Sequence, residues 1–244
     1  MSAEEKQNEQ TEQKPKRTDK TKTLLFELEY TAVNGRGALY EILKKSMKSR
    51  DKDFSTSMFS RYCIQKLPCD FVPELLAAFD IGTRSSDKFL KEIEDSMEKF
   101  WKSKTPVLNP GFKDFLKKTK ELGFQHIALT SLPKNTAAKL IDNLGLDGEF
   151  IKIHSFANEG QPIAGADIWM QAVLAQDGDL GASTGLVSSS KACKAALTAD
   201  LHCIVTHNEF TAFQDFGGTS EIIENLTDID VESLIGKFYP PPAP

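Results

Sequence analysis

Two glutamates, Glu27 and Glu29, flank a single leucine at the end of an apolar run in TLLFELEYTAVN, residues 23–34. Carboxylates placed this way either end a strand and are capped by neighbouring backbone amides, or they hold a bound ion. Hydroxyl residues close other apolar runs in the same manner. Thr130 and Ser131 follow His126-Ile-Ala-Leu, and Ser188 follows Gly185-Leu-Val. Ser188, Ser189 and Ser190 lead into an alanine-rich stretch and read as helix-capping residues. A nucleophilic serine would want a histidine close by in sequence, and none is there. The four histidines are also poor zinc ligands by spacing: His126 and His154 fall within apolar strands, and His202 and His207 flank another.

The elements that position these groups follow from periodicity. Leu24-Leu-Phe-Glu-Leu predicts a short buried strand, and 35–50 a helix. From there to about 105 the pattern stays helical, notably in FVPELLAAF and FLKEIEDSMEKFW. Strand and helix then alternate. Helices are predicted over 111–122 and 136–144, each stopped by a glycine suited to a C-cap, Gly123 and Gly145. Strands are predicted over 126–130, 150–155, 184–187 and 203–206, with further helices over 167–175 and 190–199. Such alternation implies right-handed crossovers and an α/β fold, a Rossmann-like parallel sheet with helices on both faces. Ligands in that architecture bind outside the carboxyl ends of the strands. Glu27, Glu29, Thr130, Ser131 and Ser188 all lie at such ends.

Composition narrows the partners. With 244 residues and 40% hydrophobic content the chain can bury a sizeable core. Its 30 Lys and Arg against 35 Asp and Glu leave a net charge of −5, so no global basic field draws nucleic acid or an anionic membrane. Cys63, Cys69, Cys193 and Cys203 form no C-x-x-C pair, and the first residues lack a signal peptide's apolar region. Reduced thiols and a cytoplasmic location are the expectation, with Cys193 and Cys203 as buried structural thiols. Residues 1–21 are too polar to repay ordering and read as a disordered tail; 237–244, ending in FYPPPAP, read as a Pro-rich tail. Trp101 and Trp169 read as packing residues.

The ordered motifs resemble the haloacid dehalogenase superfamily, specifically its phosphoglucomutase-like and phosphoglycolate-phosphatase-like group with a helical cap. LLFELEYTAVN stands where that family has LLFDLDGTLVDS. Val107-Leu-Asn-Pro-Gly is similar to its P-x-x-P-G entry to the core, and Leu129-Thr-Ser131 to its second motif. Gly185-Leu-Val-Ser-Ser stands where the family strand ends in acidic residues, and IIENLTDIDVESL fits the family's ending. The resemblance implies a core domain over 22–33 and 106–236 and a helical cap over 34–105.

It also implies roles that these residues fill imperfectly. Glu27 takes the place of the nucleophilic aspartate and Glu29 that of the acid/base, each longer by one methylene; about 1 Å of misplacement can cost ~10²-fold. Tyr30 replaces the motif glycine, and Thr31 alone matches. Ser131 keeps the phosphate-binding position. The motif lysine falls on Gln161 if Gln161-Pro162 is matched, or on Ile163 if spacing is kept. Magnesium would rest on Glu27 and Ser188, and Ser188 is neutral. Without a lysine, two glutamates oppose a phosphate by about 4 kcal/mol per charge pair at ~4 Å and an effective dielectric of ~20. Two functions are therefore expected: a pseudoenzyme without a cofactor that binds a protein partner, or a divergent magnesium-dependent phosphatase acting on a small phosphorylated molecule.

Overall fold

The computed structural model describes residues 21–227 and 229–239. Six strands form one parallel sheet: β1 (Thr21–Glu27), β2 (Gln125–Thr130), β3 (Ile151–Ser155), β4 (Gly178–Val187), β5 (His202–Thr206) and β6 (Glu221–Ile223). Their order across the sheet is β3-β2-β1-β4-β5-β6. The chain therefore runs outward one way from β1 to β3, then returns to start again at β4. The β1/β4 boundary is the topological switch point, where open α/β sheets form their crevice.

Alternation along β1 sorts the layers. Leu24 and Phe26 point to a core shared with α5 (Phe112–Glu121), α6 (Lys134–Asn143) and α9 (Val231–Phe238). Leu25, between them, joins the opposite core with α7 (Ala166–Leu174) and α8 (Ser190–Thr198). A period-two strand buried on both faces must be apolar throughout, which is what Leu24-Leu-Phe supplies. Cys193 and Cys203 lie buried in this second core with their sulfurs 3.5 Å apart. Cys63 is also buried, and burial pushes its thiol up to about 12, so it is protonated at neutral pH.

Residues 35–102 carry α1 (Gly35–Lys48), α2 (Thr56–Tyr62), α3 (Pro68–Ala78) and α4 (Ser86–Lys102). They enclose a third apolar cluster that includes Leu43, Phe59, Phe71, Leu75, Phe89 and Ile93. One member comes from elsewhere. Phe210, in the connection after β5, sits 4.8 Å from the Phe59 ring and 5.4 Å from Tyr40. That ring ties the helical layer to the sheet. The Asn-Pro-Gly step that re-enters the sheet layer is fixed by close backbone approach. Asn109 donates to the Ala32 and Thr31 carbonyls at 2.8 and 2.9 Å. Gly111 takes φ +76°, and a Cβ there would stand 2.5 Å from the Leu226 carbonyl oxygen.

Most element ends fall within two residues of the sequence expectations, and the larger departures are these. Thr21 already belongs to β1, paired with Gly178, and β4 begins at Gly178 rather than near 184. β6 is a strand that three residues between polar turns do not announce. Residues 237–239, expected as the start of a tail, are instead held in place, because α9 runs to Phe238 and the Tyr239 hydroxyl bonds Thr184 at 2.9 Å. The remainder of both expected tails, 1–20 and 240–244, lies outside the described residues.

Phe210→Ala should cost about 3–5 kcal/mol of unfolding free energy, as for other buried phenylalanines. Phe213→Ala, at a ring 67% exposed, should stay within about 0.5 kcal/mol. Urea denaturation of both variants measures this, and equal effects would mean that Phe210 does not join the two layers.

Candidate functional site

β1 ends at Glu27, and a single π-helical turn, Leu28–Ala32, carries the chain to α1. Wide turns of this kind are rare and gather at functional positions. The Thr31 hydroxyl donates to the Glu27 carbonyl at 2.8 Å and fixes the turn. Both glutamates are buried, Glu27 at 5% and Glu29 at 3% exposure. Unpaired charges cannot remain there at low cost, so their partners decide what the site is.

The partners lie on opposite sides of β1. The Ser188 amide and hydroxyl, at the end of β4, donate to Glu27 Oε2 at 2.8 and 2.9 Å. The Ser131 amide and hydroxyl, at the end of β2, both donate to Glu29 Oε1 at 2.7 Å. Since β2 and β4 flank β1 on opposite edges, the two carboxyl groups diverge. A nucleophile and a general acid acting on one bound substrate would have to converge on it.

A cation completes the arrangement. Arg36, in the first turn of α1, donates from Nη1 to the Ser188 hydroxyl at 2.7 Å. Ser188 thus relays between Arg36 and Glu27, donating to the carboxylate while accepting from the guanidinium. The Arg36 guanidinium also stacks 4.1 Å from the centre of the Tyr30 ring. Arg36 is only 4% exposed, and its Nη2 has no hydrogen-bond partner. Gly35 makes this approach feasible: a Cβ there would fall 2.5 Å from the Glu29 carbonyl oxygen and 2.7 Å from Trp101.

Burial sets the protonation equilibria. It raises the Glu27 carboxyl above the ordinary range, against the Arg36 charge and the Ser188 bonds. Burial likewise raises Glu29, against the Ser131 bonds, and raises the Tyr30 phenol. It lowers Arg36, which the Glu27 charge holds up.

The cavity beside these groups holds about 80 Å³ and is lined by Glu29, Tyr30, Arg36, Trp101, Ser131 and Ile163. At ~30 Å³ per water this is room for two or three waters. Among the sequence candidates, Glu27 and Ser188 are brought together, and so are Glu29 and Ser131. Of the two candidates for the lysine position, Ile163 lines the cavity, and no hydrogen bond among the described residues ties Gln161 to either glutamate or to Ser131. Ser189, not Ser188, caps α8, accepting from the Ala192 amide. Arg36 is the functional residue that sequence reasoning passes over. Its one local signal is a cation in a helix's first turn, against the macrodipole, where a partner outside the helix must hold it.

The six-stranded parallel sheet and its flanking helices are similar in overall fold to solved structures of haloacid dehalogenase-like proteins. The fold is that of the haloacid dehalogenase superfamily. CbbY from Rhodobacter sphaeroides in complex with phosphate is 15% identical, with 85% of this chain and 96% of that one covered and a TM-score of 0.68. β-Phosphoglucomutase from Clostridium difficile is 12% identical, with 90% and 97% covered and a TM-score of 0.68. A haloacid dehalogenase-like protein of unknown function from Agrobacterium tumefaciens is 12% identical, with 90% and 99% covered and a TM-score of 0.72. No protein-family model and no curated protein matches the sequence.

The haloacid dehalogenase fold implies magnesium, and these residues do not fit it. Ser188 is neutral where a second carboxylate is needed, and the Arg36 guanidinium already rests against its hydroxyl. Among the described residues no cluster of three or more His, Cys, Asp or Glu side chains is placed to hold a metal ion.

Arg36→Met leaves Glu27 buried without its counter-charge and should cost about 3–5 kcal/mol near neutral pH. A carboxyl whose folded pKa lies above its unfolded value gains stability for the fold as pH falls, and loses that contribution as pH rises through the folded pKa. The Arg36→Met deficit should therefore shrink as pH falls from neutral and Glu27 takes up a proton. Glu29→Gln should remove the Glu29 share of the wild-type slope. Urea unfolding across pH checks both, and a deficit independent of pH would mean that Arg36 does not pair with Glu27.

Proposed function

We propose that this protein is a non-catalytic member of the haloacid dehalogenase fold class, a cytoplasmic pseudoenzyme that acts by binding a protein partner. One observation carries the reading. The anion-binding donors of Ser131 are taken by Glu29, and the cation position beside Glu27 and Ser188 is taken by Arg36. The chain's own carboxyl and guanidinium groups thus stand where a phosphate and a metal would be held. A cavity of about 80 Å³ adds a steric limit, since ligand pockets ordinarily start near ~300 Å³.

A role in binding asks nothing of these groups except that they hold the strand ends and α1 in place. The helical layer of 35–102 supplies contact surface for the partner. No helix of the described residues is long and apolar enough to cross a membrane. The net charge of −5 gives no electrostatic attraction to nucleic acid.

The raised Glu29 carboxyl favours the other reading, because a protonated carboxyl is what a general acid requires. In that reading Glu27 attacks phosphorus on a small phosphomonoester, magnesium is bound, and Glu29 leaves Ser131 to protonate the leaving oxygen. Phosphate release from a panel of small phosphomonoesters with magnesium separates the two. The expected result is background release, identical in wild type and Glu27→Ala. Magnesium-dependent release that Glu27→Ala abolishes would overturn the proposal.

A further inference from the structure

The amino ends of the strands, opposite the glutamate site, carry a second, larger cavity of about 260 Å³ between α5, the start of β2 and the start of β3. His126, the second residue of β2, lines it, whereas Ser131 follows the other end of the same strand. Five residues at ~3.3 Å each separate the two by about 16 Å. This cavity is therefore independent of the glutamate site.

Its walls are apolar, formed by Leu116, Leu146, Phe150 and Ile151. Its floor carries one polar atom whose state the hydrogen bonds define. Thr119 Oγ donates its single hydrogen towards the Phe115 and Leu116 carbonyls, each at 3.0 Å. With that hydrogen placed on the carbonyls, Thr119 Oγ accepts from His126 Nε2, 2.9 Å away, which assigns the tautomer. Nε2 carries the proton, and Nδ1 is left as a lone-pair acceptor. Burial, aided by the Lys120 charge, lowers the imidazole pKa to about 4, so the ring is neutral at ordinary pH.

Nδ1 has no protein partner among the described residues, although His126 is 2% exposed. It is not among the fully occluded unpartnered atoms, which are Arg36 Nη2 and Trp169 Nε1. The space it meets is the cavity that its ring lines. At the rim stand Lys113 and Lys117, one helical turn apart on α5, with no ion-pair partner among the described residues. Asp114 offsets one of these charges. Lys120 and Asp147 neutralise each other at 2.9 Å, with Lys120 Nζ 4.1 Å from the centre of the Phe150 ring. The rim keeps one net positive charge.

We propose that this cavity binds a small aromatic carboxylic acid bearing a hydroxyl or N–H group. The donor meets His126 Nδ1, the ring lies among Leu116, Leu146 and Phe150, and the carboxylate reaches Lys113 and Lys117. The volume stands just below the ~300 Å³ at which drug-sized pockets begin, which suits a single ring.

The test uses 4-hydroxybenzoate, with benzoate and phenol as comparators, titrated into the full chain and followed by amide and imidazole NMR shifts. Shifts should centre on His126 and Phe150. Benzoate, which lacks the donor, and phenol, which lacks the carboxylate, should each bind about fivefold or more weakly, the cost of one lost polar contact. Lys113→Ala/Lys117→Ala should weaken 4-hydroxybenzoate to the same degree and leave phenol unchanged. Leu146→Trp should fill the cavity and abolish the shifts; if that variant unfolds, the exposed lysine pair decides alone. Absence of binding, shifts elsewhere, equal affinity for all three probes, or indifference to the lysine changes would each overturn the proposal.

Discussion

The contact on which the sheet's switch point depends is the hydrogen-bonded chain from Arg36 through the Ser188 hydroxyl to Glu27. It joins the end of β1 and the first turn of α1, close in sequence, to the end of β4, more than 150 residues away. Desolvating a carboxylate and a guanidinium is expensive, and their attraction offsets that only with good geometry and further bonds. Ser188 supplies those bonds by donating twice to the carboxylate and accepting once from the arginine. Tyr30 covers the guanidinium face, so the cation is held by stacking as well as by hydrogen bonding. The same chain places α1, whose start against the Glu29 carbonyl requires the small Gly35.

Glu29 is the counterpart on the other side of β1. Its carboxyl satisfies the Ser131 amide and hydroxyl, groups that otherwise end a strand with unused donors. Buried donors need an acceptor whether or not a substrate is present. A glutamate, longer by one methylene than an aspartate at the same place, can bring that acceptor itself. The reach of the glutamate side chain lets each carboxyl meet a neighbouring strand end. The solved structures show that the fold accommodates other proteins with phosphate bound, but fold alone does not carry function. Function depends on where the donors and charges point, and here they point at one another.

Much of this architecture could be read along the chain. The apolar run before Glu27, the glycine stops at Gly123 and Gly145, and the strict alternation after residue 106 specify strands, helices and a parallel sheet, because periodicity and turn chemistry are local properties. The placement of Glu27, Glu29, Ser131 and Ser188 at carboxyl strand ends follows from the same pattern. β6 escaped because three residues between turns are too few to show a period. Residues 237–239 do not read as held in place along the chain, because the contact that holds Tyr239 is with Thr184, 55 residues away.

The sequence by itself determined the α/β class, the strand ends that form the crevice and the pair of glutamates at the end of its first apolar run, since each is written in residue type and spacing. Only the tertiary structure decided which groups face which. Nothing in Gly35-Arg36-Gly37 says that the arginine reaches Ser188, 152 residues away, or that Glu29 turns to Ser131, 102 residues away. Those partnerships arise from strand order, because β2 and β4 become neighbours of β1 only when the sheet assembles.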